Sequence, residues 1–384
     1  LPLLPFYAEH MGATPGVVGM LVGVYAVCQL FAGPLLGRMS DTFGRKPLLT
    51  VSQIGTLIGF LVLAFSNQLW MVFLSRIIDG ATAGNLSLAQ AYISDVTAPE
   101  KRAKSFGVIG IAFGLGFLLG PAISGFLSQF GYHYPIFAAA SLSALSILAT
   151  TFLLPANPPR RDGSHGDTGP GGQRLSVLQW GRYVEYFRRP SLAPLLAKFF
   201  AYVFSFAIFT GGFALFAERR YLWQGRPFGP KEVGYIFAFS GLIGGTLQGG
   251  ALGSLVRRFG ERALLASSLL ACAVGYVVLG YAYTIPLLLL ASAISSFGGI
   301  ARPVVTSLIT QVAGRREQGA VLGLTQSLTS IAMITGPVIA GFLIQHGKLE
   351  AWALASAVVA AAGYLVTTPA APGRAEPIGS EIEA

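Results

Sequence analysis

Long apolar blocks alternate with short charged loops along almost the whole of this chain. No charged side chain falls between Lys104 and His133, and 263–285 is uncharged throughout. Roughly 20 apolar residues in a helix cross the hydrocarbon core of a bilayer. The pattern predicts helical spans at 14–36, 48–65, 69–94, 106–129, 134–154, 192–216, 232–252, 263–282, 285–311, 320–345 and 350–368. We number them spans 2 to 12. The opening stretch "LPLLPFYAEHMGA" is too short to cross and is expected to be the outer end of a span 1 whose start is missing. The chain therefore reads as an all-α polytopic membrane protein.

The alternation breaks at 155–191. "PANPPRRDGSHGDTGPGGQR" is rich in Pro, Gly and charge, the composition of a flexible linker. After it, Val177, Trp180, Val184 and Phe187 recur at helical spacing among Arg174, Arg182, Arg188 and Arg189. That pattern suits a helix lying on a membrane surface, or equally a packed linker helix. The two sides of the linker repeat. A shift of 216 positions lays "GRMSDTFGRKPLL" on "GSLVRRFGERALL" and "GPAISGFL" on "GPVIAGFL". We expect a six-helix half at 1–154, a cytoplasmic linker at 155–191, a second half at 192–368 and a cytoplasmic tail at 369–384. Parallel halves of this kind place a substrate site between them near the midplane.

Charge supplies orientation. Arg38, Arg45, Lys46, Lys101, Arg102, Lys104, Arg160, Arg161, Arg257, Arg258, Arg262, Arg315 and Arg316 fall in one set of loops, and the opposite loops are poorer in basic residues. The basic set is expected to face the cytoplasm. The chain is 53% hydrophobic and 11% charged, against about 25% charged in a soluble domain. Its net charge of +10 is spread over loops and forms no single basic face, which excludes a nucleic-acid partner. Cys28 and Cys272 lie inside apolar spans and imply neither disulfide nor metal site. His10, His133, His165 and His346 are scattered, with no nucleophile–base pair and no phosphate loop. We expect no enzyme, no cofactor and no metal. The expected partners are a bilayer and a small solute, with the chain a monomer in a cell membrane.

Span 4 carries the clearest chemistry. Projected as a continuous helix, Arg76, Asp79, Gly80, Ser87, Gln90 and Ser94 share one face. Arg76 and Asp79 are i, i+3 neighbours, and an ionisable residue inside a bilayer must be paired or hydrated. They are either proton-coupling groups or a structural ion pair. Arg302 in span 10 binds polar or anionic substrate, or else is a structural arginine. Tyr25, Gln29, Gln248 and Gln326 are further cavity candidates, or ordinary interhelical hydrogen bonds. Lys198 is expected to snorkel toward the cytoplasm.

The stretch from Gly37 to Lys46, "GRMSDTFGRK", resembles the G-x3-D-x2-G-R-K signature between spans 2 and 3 of the major facilitator superfamily. "RIIDG" at 76–80 is similar to its span-4 signature, and "GLGFLLGPAISG" at 114–125 to the antiporter motif of its drug–proton exchangers. "FGGIARPVVTSLITQV" and "REQGAVLGLTQSLTSI" resemble the second half of tetracycline-efflux proteins. The resemblance implies the major facilitator fold and alternating access, with proton-coupled efflux of small organic molecules. It implies that Asp41 and Arg45 form a charge network with Asp95, and that Asp41 caps a second-half helix, span 11, when the cytoplasmic end closes. Gly37 and Gly44 would permit a tight turn there. Gly114, Gly120, Pro121 and Gly125 would be the antiporter motif, packing span 5 tightly against a neighbour to limit leak. Proteins of this type carry an acid inside span 9, where this chain has Cys272. A solute importer or facilitator of the same fold is the alternative. A non-transporting membrane sensor is a third.

Overall fold

The computed structural model describes residues 3–97, 102–155 and 185–367. Helix occupies each of the eleven predicted spans. Among the described residues, eight helices are long and apolar enough to cross a membrane, and Gly114–Phe130 and Leu349–Leu365 are shorter apolar helices. The helices are Leu3–His10 in span 1, Pro15–Phe43 in span 2, Arg45–Ala64 in span 3, and Leu69–Ala81 with Asn85–Val96 in span 4. Arg102–Leu127 forms span 5, His133–Leu153 span 6 and Ala193–Arg220 span 7. Span 8 is Pro230–Thr246, a π turn at Leu247–Ala251, and Leu252–Phe259. Span 9 is Glu261–Gly280, and span 10 begins as Ile285–Phe297 with a 3₁₀ turn at Gly298–Ile300. Helical hydrogen bonding then runs from Ala301 to Gln345 through both spans 10 and 11, and Leu349–Leu365 is span 12. Ala301 and Ala332 share one core with Phe199 of span 7. The chain doubles back between the two spans: Ser295 packs on Gly275 within span 9 and Ser307 bonds Glu261 at its start, then Glu317 bonds Arg189 just before span 7 and Gly336 packs on Ala207 within it. A two-residue β-hairpin, β1 (Leu222–Trp223) with β2 (Arg226–Pro227), links spans 7 and 8.

The 216-residue repeat is visible in the backbone. Gly44, at φ +93°, separates spans 2 and 3, and its counterpart Gly260, at φ +77°, separates spans 8 and 9. Gly131 and Gly347 are another left-handed pair at the same offset. Such conformations are open to glycine at no steric cost. The break in span 4 at Thr82–Gly84 and the 3₁₀ turn at Gly298–Ile300 also lie 216 positions apart.

Two of the expected boundaries change. Span 2 extends to Phe43, so Gly37 is inside a helix and Gly44 alone makes the turn. Span 4 is broken where a single helix was expected. The Ser52 hydroxyl donates to the Thr82 carbonyl and accepts from the Gly84 amide at 3.0 Å, so span 3 satisfies the backbone groups that the break frees. The surface-helix pattern predicted before span 7 falls mainly on 156–184, outside the described residues, as does the tail from 368. At the edge of that segment, Arg189 grips Glu317 with two bonds of 2.6 and 3.0 Å.

One core joins the two halves, and it lies at the end opposite the basic loops. It contains Leu3, Tyr7 and Leu21 together with Phe213, Phe216, Ile344 and Trp352. A small core near the basic loops, Ala32, Leu36, Leu48, Leu49 and Leu88, belongs to the first half alone.

Candidate functional site

Close helix contacts seal the end opposite the basic loops. A Cβ added at Gly19 would meet the Pro337 carbonyl oxygen, and one at Gly341 the Pro15 carbonyl oxygen. On the other seam, a Cβ on Gly125 would come within 3.2 Å of Gly234, and one on Gly234 within 2.6 Å of the Pro121 oxygen. Arg219 pairs with Glu9 at 2.7 Å, and Lys231 bonds Gln129 at 2.9 Å, both across the halves. Toward the basic loops the same helices separate. Gly33, Gly37, Gly114, Gly244, Gly245, Gly249, Gly250 and Gly323 meet nothing within 4 Å. The halves thus enclose a cleft open at the basic end. This corrects the packing expected of two glycines of the span-5 motif: Pro121 and Gly125 face span 8 closely, as do Phe117 and Leu118 against Gly241, whereas a Cβ on Gly114 or Gly120 would meet nothing within 4 Å.

The ion pair of span 4 lies within the first half. Arg76 Nη1 is 3.6 Å from Asp79 Oδ2, and each side chain is only 12% exposed. Arg76 Nη2 is buried with no hydrogen-bond partner. Asp79 also accepts a hydrogen bond from Thr56 of span 3. Gly80 lets span 2 approach: a Cβ there would lie 2.7 Å from the Tyr25 carbonyl oxygen and 2.8 Å from Cys28 Cβ. The Tyr25 hydroxyl is in electrostatic range of Arg76 and Asp79, and it accepts from Gln29 Nε2 at 3.2 Å. Four of the predicted residues, Tyr25, Gln29, Arg76 and Asp79, therefore form one cluster. Gln90 is exposed beyond the break, which spoils the continuous polar face expected of span 4.

The repeat gives this pair a control inside the same molecule. The positions 216 residues after Arg76 and Asp79 are Ser292 and Ser295. Their surroundings match. A Cβ on Gly59 would lie 3.0 Å from Asp79 Cβ, and one on its counterpart Gly275 would lie 2.9 Å from Ser295 Cβ. The second half closes with two serines where the first holds a charge pair, so the same helix contact can be built without charge. At position 272, where an acid was noted as missing, Cys272 is 1% exposed and packs under Gly298.

The 37–46 stretch is a helix end joined to a helix start. Arg45 bonds Asp41 at 2.6 Å, Asp95 at 2.9 Å and Ser40 Oγ at 2.5 Å. Lys46 donates to the Thr151 and Leu154 carbonyls at 2.8 and 2.7 Å, capping the end of span 6. In the second half, Arg257 replaces Asp41. Lys198 differs from expectation: it is 5% exposed and donates to the Gly363 and Tyr364 carbonyls at 3.2 and 3.5 Å, capping span 12. Nothing in the local sequence signals either cap, because each joins residues more than 100 positions apart. Of the remaining candidates, Gln248 Nε2 reaches the Gly299 carbonyl at 3.4 Å, and Arg302 and Gln326 are exposed.

Two repeated helical halves, sealed at one end and parted at the other, with a charge pair buried within the first, define a secondary membrane carrier. A model of the Major Facilitator Superfamily matches residues 1–253 and 228–383. The tetracycline resistance protein, class C, of Escherichia coli is 30% identical over 381 residues, covering 96% of this chain and 91% of that protein. The class B protein of Escherichia coli is 31% identical over 92% of this chain and 85% of its own length. The multidrug resistance protein 2 of Bacillus subtilis is 26% identical over 89% and 84%. In fold alone, the chain is similar to the human organic anion transporter MFSD10, with a TM-score of 0.68, 24% identity and coverage of 95% and 93%. It is likewise similar to the nucleoside transporter NupG, with a TM-score of 0.72, 16% identity and coverage of 92% and 90%. The chain belongs to the major facilitator superfamily, and it is a multi-pass secondary transporter.

Proposed function

We propose that this carrier exports small organic molecules in exchange for protons. The observation that carries the reading is the Arg76–Asp79 pair, present in one half and replaced by serines at the matching place in the other. A charge pair that the second half replaces with serines, buried among spans 2 to 4, suits a group that binds and releases a proton as its exposure changes. Kinship with tetracycline and multidrug resistance proteins supports the direction. The basic loops support a cytoplasmic open end, from which the cleft would load from inside. Inverted membrane vesicles with an imposed pH gradient, acid inside, test this with tetracycline and a quinolone as probes. Both should accumulate, and collapsing the gradient should release them. Accumulation that ignores the gradient would sink the proton coupling.

The Asp41–Arg45–Asp95 network serves as the latch for the other half of the cycle. Here it is held within the first half, with Asp41 and Asp95 half exposed. When the cytoplasmic end closes, Asp41 would turn to the second half at the junction of spans 10 and 11. Exposed pairs of this kind contribute only about 0–1 kcal/mol to folding. Asp41→Asn should therefore leave the melting temperature nearly unchanged while slowing transport at least about tenfold, the weight of roughly 1.4 kcal/mol in the closed state. Unchanged flux in that variant would remove the latch.

A further inference from the structure

Arg302 is a further ionisable residue within the spans, and unlike Arg76 it has no acid beside it among the described residues. Among the described residues no carboxylate comes within 4 Å of its guanidinium. It follows the 3₁₀ turn of span 10, 11 residues before Ala313. That is about 16 Å of helix, close to mid-depth of a core about 30 Å thick. A cation at that depth is costly unless water or a counter-charge reaches it.

Its direction is set by its neighbours. Glu261 at the start of span 9 bonds Ser307 at 2.8 Å and Gln311 at 3.0 Å, so that face of span 10 meets span 9. At about 100° per residue, Ser307 and Gln311 lie about 140° and 180° around the helix from Arg302. Arg302 therefore faces away from span 9. On its own side it is in electrostatic range of the Tyr202 hydroxyl of span 7. One turn earlier, Gly299 receives the Gln248 amide of span 8. The exposed guanidinium thus lies on the side of span 10 that meets Tyr202 of span 7 and Gln248 of span 8.

The backbone is irregular at the same place. The π turn Leu247–Ala251 of span 8 faces the 3₁₀ turn Gly298–Ile300 of span 10. Single π turns are frequent at functional sites because they re-aim side chains at the expense of regular hydrogen bonds. The repeat places no such groups in the first half: the counterparts of Gln248 and Arg302 are Ala32 and Leu86.

We propose that Arg302, with Gln248 beside it, binds an anionic group of the transported molecule, so that organic anions are the preferred class. This rests on the carrier reading above and names the charge of its substrate. A guanidinium offers planar, paired donors to a carboxylate or sulfonate, and the Gln248 amide adds a neutral donor and acceptor. The bound anion would supply the counter-charge that the protein lacks at this depth.

The test compares two dyes of one scaffold, anionic fluorescein and cationic rhodamine 6G. Their binding to the full chain in nanodiscs of zwitterionic lipid is read by fluorescence anisotropy. Wild type should bind fluorescein at least about tenfold more tightly than Arg302→Gln, the loss expected for one charged hydrogen-bonding partner. Arg302→Lys should recover part of that loss, and rhodamine 6G should bind Arg302→Gln no more weakly than wild type. The proposal is overturned if wild type does not bind fluorescein, if Arg302→Gln binds it equally well, or if that variant loses both dyes alike. Adding phosphatidylglycerol to the nanodiscs separates a solute from a lipid headgroup. Fluorescein binding that persists supports the solute site, and complete displacement by the lipid overturns it. Fluorescein binding that depends on Arg302, without gradient-driven accumulation in vesicles, would uphold the anion site and reject the efflux reading instead.

Discussion

Asp79→Asn should abolish gradient-driven accumulation, and it should also destabilise the protein. The second effect follows from burial. Arg76 and Asp79 are nearly enclosed, and one Arg76 nitrogen already has no partner. Removing the carboxylate leaves a buried guanidinium without compensation, which costs about 3–5 kcal/mol. Loss of transport alone would therefore be ambiguous. The double variant Arg76→Gln, Asp79→Asn separates the two effects. It removes both charges, as the second half does with Ser292 and Ser295, and should melt close to wild type. It should still exchange labelled for unlabelled substrate across vesicles, because that exchange needs no net proton movement. It should not accumulate substrate against a gradient. A double variant that concentrates substrate at the wild-type rate would show that the pair is structural after all.

Gly341→Val should hold the sealed end open. The added side chain would meet the Pro15 carbonyl, with Gly16 Cα 3.2 Å away, and backbone cannot swing aside as a flexible side chain does. Overpacking of this kind costs about 1–3 kcal/mol, enough to shift a two-state balance roughly 5- to 150-fold. Glu9 and Arg219 oppose the shift, but a partly exposed pair contributes about 1 kcal/mol at most. Spin labels at Gln129 and Lys231, which bond across the seam at 2.9 Å, report the result directly. Their separation should lengthen in the variant, and flux should fall because the carrier cannot return to its loading state. Unchanged separation would mean that the seam yields without opening. Gly250→Val, where a Cβ meets nothing within 4 Å, provides the matched control and should leave the separation as it was.

Much of the fold was legible because its signals are local. Twenty apolar residues must cross as a helix, whatever lies beside them. The repeat at 216 was readable from two short matches, and Gly44 with Gly260 shows why it persists: both halves need the same left-handed turn. The span-4 ion pair was predictable from i, i+3 spacing alone. Cys272 illustrates the opposite case. Sequence marked it as the site of a missing acid, and only the packing under Gly298 shows that a charged group would have no room or solvent there.

The candidate site was legible in parts only. Tyr25 and Asp79 are 54 positions apart, and their meeting depends on Gly80, whose bare Cα lets two helices touch. The break in span 4 depends on one hydroxyl of span 3, so no propensity within span 4 forecasts it. The expected turn at Gly37 failed for a related reason. Glycine permits a turn without demanding one, and the helix of span 2 runs on until Gly44 takes a positive φ. The π turn at Leu247–Ala251 lay within an unremarkable apolar stretch.

By itself, the sequence determined that the chain is a duplicated bundle of membrane helices with basic loops on one side. Those properties follow from hydrophobicity and charge, which act residue by residue. Tertiary structure alone decided which end of the cleft is closed, which polar residues share a cluster, and that Arg302 is exposed with no carboxylate beside it among the described residues. Those outcomes depend on where a missing side chain lets two distant backbones approach, and on where their divergence leaves room.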